Sequence, residues 1–204
     1  METIDRKYFF DNIPFPISQK QEIDFLLTKF DESELLDCLH KYAYFLATAK
    51  KETAGTFKPV IEGYWIKNNR KEKLYSYYSH NNPEALKTIF PNGITGVSYE
   101  GRGYVQVTHK YNYGKFRNII SIKYDVDITE NPDIICENKD IAFDICELGM
   151  SERAFSFTGK ILNDYFNSSK NDFYNARKII NGLDRAGEIS NIAQHYYEYL
   201  RYNE

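Results

Sequence analysis

The pattern of apolar and polar positions predicts an amphipathic helix within residues 32–55. The apolar positions there recur at steps of four, three, four and three residues: Leu35, Leu39, Tyr42, Leu46 and Ala49. Such steps place side chains on one face of an α-helix. Gly55 follows the last of them, and glycine is a common helix end. The pattern therefore predicts a helix that buries one face and ends near Gly55.

The same kind of pattern predicts helices in much of the remaining chain. They are expected over residues 19–30, 138–155, 159–166, 170–184 and 186–202. Ser18 and Gln21 have the spacing of a capping box before the first of these helices. The last helix has an apolar spine of four residues: Ile189, Ala193, Tyr196 and Leu200. These predictions make the fold mainly α.

Three stretches lack helical periodicity. Residues 1–17 contain two prolines and predict an extended lead-in, while residues 63–100 are rich in polar, tyrosine and turn residues and predict a loop-rich excursion. Within the excursion, a short helix is expected over Pro83–Phe90. Residues 104–108 alternate like a short strand. With no repeat or linker to divide it, the chain predicts a single domain over residues 1–204, α+β in detail, with a small β-hairpin.

Composition adds two observations about partners. Tyr 18, Phe 14 and Trp 1 together make up 16% of the chain, which fits either a tyrosine-lined cleft for sugar rings or additional aromatic residues in the core. The net charge of −3 shows no basic excess and argues against nucleic acid as a partner. The three cysteines and the histidines show no metal-ligand spacing, so we expect no metal and no other cofactor.

The first residues do not resemble a signal peptide, because they are acidic and interrupted by Pro14 and Pro16. No run of about 18 apolar residues occurs, so stable membrane insertion is not expected. We therefore expect the protein to be made in the cytoplasm. Any action outside the cell then depends on a separate route of export.

Two glutamates flank the predicted helix end. At 100° per residue, Glu52 lies beside Phe45 and Ala49 at the edge of the buried face, where partial burial can keep a carboxyl group protonated. Glu62 follows in a loop, where a carboxylate stays ionised. A protonated acid with an ionised base is the pair that hydrolyses glycosidic bonds. Because the chain has 29 acidic residues, the pairing alone is weak evidence.

The residues around this pair carry a family resemblance. "YFLATAKKETAGTFKPVIEGYW" and "YEGRGYVQVTHKYNYGKF" resemble the two signatures of the family 19 chitinases and the related phage endolysins. "NPDII", "ARKIINGLD" and the closing helix resemble the C-terminal half of the endolysins. The resemblance covers about residues 20–200. It implies a two-lobed, lysozyme-like, mostly helical fold with a cleft between the lobes. It also implies inverting hydrolysis of a β-1,4-linked N-acetylhexosamine polymer.

The resemblance also assigns catalytic roles to three residues. Glu52 matches the general acid and Glu62 the general base. Thr108 matches the residue whose hydroxyl helps to hold the attacking water, although ordinary strand filler is the alternative. An inverting enzyme needs room for this water, with its carboxyl groups roughly 6.5–9.5 Å apart.

Four further residues match positions that bind the sugar: Gln106, Tyr111, Asn112 and Asn181. Gln106 and Thr108, two residues apart, are expected on the same side of a strand. Tyr111 is equally compatible with the core, and Asn181 with Gly182 also suits a helix C-cap. The glycines of "GRG" are expected to give backbone clearance, and the arginine between them, Arg102, to tie the two lobes by a buried ion pair.

Two departures from the family's pattern matter. Lys51 stands where the family often has histidine before the acid, which is expected to shift the pH optimum. His109-Lys110 make "THKYNYG" similar to the plant chitinases' "SHNYNYG" and leave the choice between chitin and peptidoglycan open. The leading hypothesis is a monomeric muramidase-type endolysin that waits in the cytoplasm and reaches the periplasmic cell wall through a holin-made hole. A chitinase and a secretion-system toxin with the same chemistry are alternatives. A non-catalytic glycan-binding protein would be expected to have lost an acid.

Overall fold

The computed structural model describes residues 2–204, which form two compact units. The first unit consists of the chain up to Phe57 together with Cys146–Glu204, and the second consists of Lys58–Ile145. The described chain is mainly helical, which confirms the predicted fold class. Whether both units act as a single catalytic domain stays a prediction.

The elements follow one another along residues 2–204. The α-helices are α1 Arg6–Asn12, α2 Ile17–Glu32, α3 Leu39–Glu52, α4 Arg70–Asn81, α5 Pro83–Ile89, α6 Lys110–Tyr124, α7 Ile134–Glu137, α8 Lys139–Ser151 and α9 Ala186–Tyr199. The strands are β1 Val60–Ile61, β2 Arg102–Gly103, β3 Phe166–Asn167 and β4 Lys170–Asn171, and 3₁₀ segments cover Leu162–Asp164 and Asn175–Ile179. β1 pairs antiparallel with β2, and β3 pairs antiparallel with β4.

The core of the first unit is built around helix α3. This helix packs against α9 and α2, and Lys41–Ala49 are buried without a break. Aromatic rings fill the space between the helices: Phe30 stacks on Tyr42 with ring centroids 4.9 Å apart, and Phe45 meets Phe30 edge-on at 5.1 Å. Offset and edge-on ring contacts of this kind add to the hydrophobic effect of burial. Many of the aromatic residues are therefore core residues, and this packing fixes the helix that ends at Glu52.

A buried ion-pair network stabilises the second unit. Arg102 is 2% exposed and pairs with Glu100 at 3.2 Å and with Asp133 at 2.8 Å, while its Nη1 donates to the Tyr113 hydroxyl at 3.0 Å. Burial alone would raise the pKa of Glu100, but the attraction of Arg102 and neighbouring donors outweighs it and lowers this pKa. All these partners lie within Lys58–Ile145. The prediction that Arg102 ties two lobes together is therefore wrong.

The starts of the first three helices differ from the predictions. The expected lead-in contains α1, whose first turn is capped by the Asp5 carboxylate. Helix α2 already begins at Ile17, and no side chain caps it, so the capping box is wrong. Helix α3 begins only at Leu39, because the Ser33 hydroxyl accepts from two backbone N–H groups, at 3.1 and 2.8 Å, and folds the preceding residues into a turn.

Two other stretches also depart from the pattern. The excursion at 63–100 contains the expected short helix as α5, but also the unexpected helix α4. Leu74 is the buried residue of α4, so its sequence shows no apolar stripe. Residues 159–184 form 3₁₀ segments and the β3–β4 hairpin instead of two α-helices. In the described residues 2–204, no helix combines the length and apolarity that crossing a membrane would require.

Candidate active site

Glu62 directly follows strand β1, and two donors hold its carboxylate. The Tyr78 hydroxyl donates to Oε1 at 2.7 Å, and the Gly101 N–H donates to Oε2 at 3.1 Å. Hydrogen bonds to its backbone also fix Glu62. Its N–H donates to the Gly101 carbonyl at 2.7 Å, and the Arg70 side chain donates to its carbonyl at 2.9 Å. Burial, followed by the hydrogen bond to Glu62, raises the pKa of Tyr78. Tyr78 therefore keeps its proton and remains a donor to the carboxylate.

Gly101 brings Gln106 and Thr108 close to Glu62. A Cβ atom on Gly101 would lie 2.8 Å from Gln106 Oε1 and 3.3 Å from Thr108 Oγ1, so a larger residue would have to displace them. The Thr108 hydroxyl donates to the Gln106 carbonyl at 2.8 Å, and its lone pairs remain able to accept. Glu62, Gln106 and Thr108 thus lie together around one glycine, which gives the backbone clearance expected of it.

Residues 104–106 form a turn instead of the predicted strand. Arg102 and Val107 exchange backbone hydrogen bonds of 3.1 and 2.9 Å across it, and Gln106 has a φ of +55°. A residue in the left-handed region breaks the alternation of side chains that a strand would have. The Gln106 amide instead donates to a carbonyl of β1 at 2.8 Å. The prediction of a strand face shared by Gln106 and Thr108 is therefore wrong, although the turn brings them together.

Asn112 lies in the first turn of α6 and is buried. Its side-chain nitrogen donates to the Thr108 carbonyl at 2.8 Å, whereas its Oδ1 finds no hydrogen-bond partner among residues 2–204. A buried acceptor without a donor costs about 1–3 kcal/mol. The N–H of an N-acetyl group is a donor of the kind that would satisfy it.

Tyr111 is 58% exposed, so its alternative interpretation as a core residue is wrong. Its ring lies nearly parallel to that of His109, with centroids 5.3 Å apart. The Thr88 hydroxyl and His109 Nδ1 form a hydrogen bond of 2.8 Å. Burial lowers the pKa of His109, with Glu62 opposing this shift, which favours the neutral imidazole. The two rings therefore present a neutral aromatic surface.

Glu52 ends helix α3 and pairs with Arg177 of the same unit. Arg177 Nη1 lies 2.6 Å from Glu52 Oε1, with the two side chains 5% and 18% exposed. Arg177 is itself fixed by a hydrogen bond of 3.0 Å from Nε to the Asp184 carbonyl. Gly55, with a φ of +82°, donates to the Lys50 carbonyl at 2.7 Å, which confirms it as the helix end. The structure therefore places Glu52 at the border of core and solvent, in an ion pair.

Asn181 is exposed and follows the 3₁₀ segment Asn175–Ile179. Its N–H donates to the Arg177 carbonyl at 3.0 Å, and its Oδ1 accepts from the Gly182 N–H at 2.9 Å. These hydrogen bonds close the end of a 3₁₀ segment. The alternative interpretation placed Asn181 and Gly182 at the C-cap of an α-helix. The side-chain NH₂ of Asn181 makes no hydrogen bond to residues 2–204 and is available to a ligand.

The seven candidate residues divide between the two units. Glu52 and Asn181 belong to the first unit, and the others belong to the second: Glu62, Gln106, Thr108, Tyr111 and Asn112. Their roles stay predictions. The first unit supplies a carboxyl group that is paired with a cation. The second unit supplies a carboxylate that lies next to a hydroxyl. Such groups can perform acid–base chemistry on a sugar. No group of three His, Cys, Asp or Glu side chains within residues 2–204 is suited to hold a metal ion.

The sequence pattern does not indicate the partner of either acid. Arg177 is 125 residues away from Glu52 along the chain, so no local spacing connects them. One feature of the sequence could have indicated Arg177. It precedes Asn181 by about one helical turn, and both residues lie in "ARKIINGLD", the block that resembles the family. Tyr78 lies on α4, the helix whose sequence shows no apolar stripe.

Comparisons with known proteins point to one family. The sequence model described as chitinase class I, of glycoside hydrolase family 19, matches residues 36–184. Chitinase 3 of Oryza sativa subsp. japonica is 28% identical over 110 residues, which are 52% of this chain and 31% of the rice protein. The match thus spans about a third of that relative's length. No solved structure matches the chain significantly.

Proposed function

The chain belongs to glycoside hydrolase family 19, and we propose that it hydrolyses β-1,4 bonds between the N-acetylhexosamines of peptidoglycan, as a muramidase-type endolysin. One observation carries the proposal. The Glu62 carboxylate is held between the Tyr78 hydroxyl and the N–H of Gly101, the glycine against which the Thr108 hydroxyl also lies. A base that activates water needs such fixed orientation, with lone pairs left to accept the proton.

The proposed reaction is a single displacement at the anomeric carbon. Glu62 takes a proton from a water molecule that Thr108 helps to hold, and the water oxygen forms the new bond to carbon. Glu52 gives its proton to the glycosidic oxygen, whose bond to the same carbon breaks. Because water attacks from the face opposite the leaving group, the configuration inverts.

Arg177 Nη1 donates to Glu52 Oε1 at 2.6 Å, and in the proposed reaction the glycosidic oxygen accepts the proton of the acid form of Glu52.

Charge near Glu62 supports peptidoglycan as the substrate. The segment Lys67–Lys73 contains four basic residues and one acidic residue. Arg70 pairs with Glu100 at 3.2 Å, so the other three basic residues, all lysines, supply the positive charge that suits an acidic wall polymer. Chitin is neutral and is the second candidate. It is favoured by the relative named Chitinase 3 and by His109-Lys110 in the second motif. A glycan-binding protein without activity is disfavoured by the presence of both acids.

The biological setting is part of the proposal. As an endolysin, the protein would act as a monomer on the periplasmic cell wall after release from the cytoplasm through a holin-made hole. A secreted antibacterial toxin with the same chemistry is the alternative. An adjacent gene for an immunity protein would favour the toxin.

The test compares the wild type with Glu52→Gln and Glu62→Gln on Gram-negative sacculi and, separately, on colloidal chitin. New reducing ends and fragment masses report the bond that is cut, and NMR of the first product reports its anomer. We expect fragments from sacculi with inverted configuration. Each variant should lose about 10²–10⁴-fold in kcat while circular dichroism shows an unchanged fold. Release from chitin alone would select the second candidate, and no release from either substrate would contradict the proposal.

A further inference from the structure

A second feature beside Glu62 is a cavity of about 330 Å³ within the second unit. Its wall is formed by the turn after β1 and by one face of α4, and six of its lining residues are Glu62, Trp65, Ile66, Lys73, Leu74 and Tyr77. Ligand pockets in proteins range from about 300 to 1,000 Å³. The cavity is therefore at the small end of that range, the size class of one sugar residue with its substituents.

Two large aromatic rings line this cavity without being buried. Trp65 is 69% exposed and Tyr77 is 58% exposed. Large apolar side chains that are exposed together on one surface often mark a binding site. The C–H face of a pyranose ring is apolar and covers an indole or phenol ring well, while its hydroxyls remain outward. The rings thus offer the contact that a hexosamine makes.

The exposed tryptophan is held in place by its turn. The Tyr64 N–H donates to the Ile61 carbonyl at 3.0 Å, and the Ile66 N–H donates to the Gly63 carbonyl at 2.8 Å. Trp65 also meets the Tyr64 ring edge-on at 5.3 Å. A preorganised surface loses less conformational entropy when a ligand binds than a mobile one does. The turn therefore fixes the backbone of Trp65 next to Glu62.

Lys73 supplies the charge in the same cavity. It is exposed, and its ammonium group makes no ion pair or hydrogen bond with any of residues 2–204. It makes no ion pair with Glu62, whose carboxylate oxygens accept from Tyr78 and Gly101. An unpaired ammonium beside aromatic rings is suited to a ligand that combines an apolar face with a negative group.

We infer that this cavity is a subsite for one hexosamine ring, stacked on Trp65, whose acidic substituent is bound by Lys73. In peptidoglycan, every second sugar carries a peptide stem with free carboxylates, whereas chitin carries only neutral N-acetyl groups. The cavity therefore selects peptidoglycan over chitin at the position next to the base. This inference rests on the proposed function for its substrate, but it concerns binding and can be measured without turnover.

Trp65 is the single tryptophan of the chain, so its fluorescence reports the cavity directly. In a Glu52→Gln background, we would titrate three oligosaccharides of equal length: peptide-bearing glycan, the same glycan with its peptides removed by an amidase, and chitin. Lys73→Gln is compared with Lys87→Gln, which removes an exposed lysine of the same unit whose ion pair with Glu84 is on the surface. Surface pairs of that kind contribute little to stability.

All three ligands should change the Trp65 emission, and both peptidoglycan glycans should bind more tightly than chitin, because the amidase leaves a free lactyl carboxylate on every second sugar. Lys73→Gln should raise the dissociation constants of these two acidic glycans about tenfold, as expected for the loss of one hydrogen bond to a charged group, and should remove most of the salt dependence. The binding of chitin should be unaffected, and Lys87→Gln should behave as the parent. Equal effects of the two lysine variants, or of Lys73→Gln on all three ligands, would overturn the role of Lys73.

Trp65→Ala tests the stacking contact in the active enzyme. The KM for all three substrates should rise, whereas Ile122→Ala, which removes another exposed apolar side chain of the same unit, should leave it unchanged. An unchanged emission at saturating ligand together with an unchanged KM in Trp65→Ala would overturn the subsite. If the wild type cleaved no substrate, the proposed function would fail, yet the fluorescence titration would still decide the inference.

Discussion

The base candidate Glu62 depends on two donors of different kinds. The Gly101 N–H belongs to the backbone, whereas the Tyr78 hydroxyl belongs to a side chain and is removed by a change to phenylalanine. A hydrogen bond to a charged group contributes about 1.5–3 kcal/mol. Tyr78 should therefore matter to the carboxylate that it orients, although it touches neither substrate nor water in the proposed reaction. We regard it as a positioning residue.

Tyr78→Phe should lower kcat by about tenfold or more with little change in KM, because the ring and its packing are kept. Tyr75 provides a matched control, since Tyr75→Phe removes a hydroxyl from the same helix at a ring that packs on Phe90 and does not line the cavity beside Glu62. Steady-state kinetics on the released fragments give both constants. If both variants lost activity equally, or if only KM changed for Tyr78→Phe, the hydroxyl would not be orienting the base.

At the scale of elements, the sequence predicted helices where tertiary packing and local pattern agree. Helix α3 and helix α9 were both predicted from their apolar stripes, and the two pack against each other. Helix α4 was missed because Leu74 is its buried residue. The prediction of a strand at 104–108 was wrong. The left-handed backbone of Gln106 goes with the hydrogen bond from its side-chain amide to β1, a contact between residues 46 positions apart in the chain. The partners of both acids are likewise set by long-range contacts.

Two helical glycines show how packing decides the effect of one substitution. In a helix interior, glycine is less stable than alanine by roughly 0.5–1 kcal/mol. A Cβ on Gly149 in α8 would lie 2.3 Å from the ring of Phe157, so this ring would have to move. A Cβ on Gly114 in α6 would meet nothing within 4 Å. The same change should therefore have opposite signs at the two positions.

Gly149→Ala should reduce the free energy of unfolding by about 1–3 kcal/mol, the usual cost of overpacking, while Gly114→Ala should increase it by roughly 0.5–1 kcal/mol. Urea titrations followed by circular dichroism measure both. Stabilisation by Gly149→Ala would mean that Phe157 swings aside without loss of packing.

At the scale of the whole molecule, the family resemblance of the sequence is confirmed by the match over residues 36–184. The order of the motifs identified this family, whereas composition and net charge did not. The motifs leave the choice between peptidoglycan and chitin open, because the proposed subsite depends on which side chains share a surface with Glu62. Trp65 and Lys73 are eight residues apart in the chain, and only the turn after β1 and the start of α4 bring them to one cavity.

The pH dependence of stability also belongs to the molecule as a whole. Burial lowers the pKa of His40 and His109 from the ordinary value of 6.5. As the pH falls below 6.5, the unfolded chain therefore binds protons first, and the free energy of unfolding decreases. The pKa values of Glu100, Asp164 and Asp172 are also lowered, since ion pairs and hydrogen bonds outweigh the opposing effect of burial. Their stabilisation is present above their ordinary values, 4.5 for Glu100 and 3.8 for the two aspartates, and is lost as the pH falls through the lower folded values.

We therefore expect a melting temperature that is constant from about pH 8 to 7, declines below about 6.5 and declines more steeply below about 4.5. Scanning calorimetry across this range measures it. The double variant His40→Gln, His109→Gln should lose the upper step and keep the lower one, because its carboxylates still have their partners. A melting temperature that rises from pH 7 to pH 5 would contradict the direction of both histidine shifts. A lower step that vanished together with the upper one would mean that the histidines, and not the carboxylates, account for the acid sensitivity.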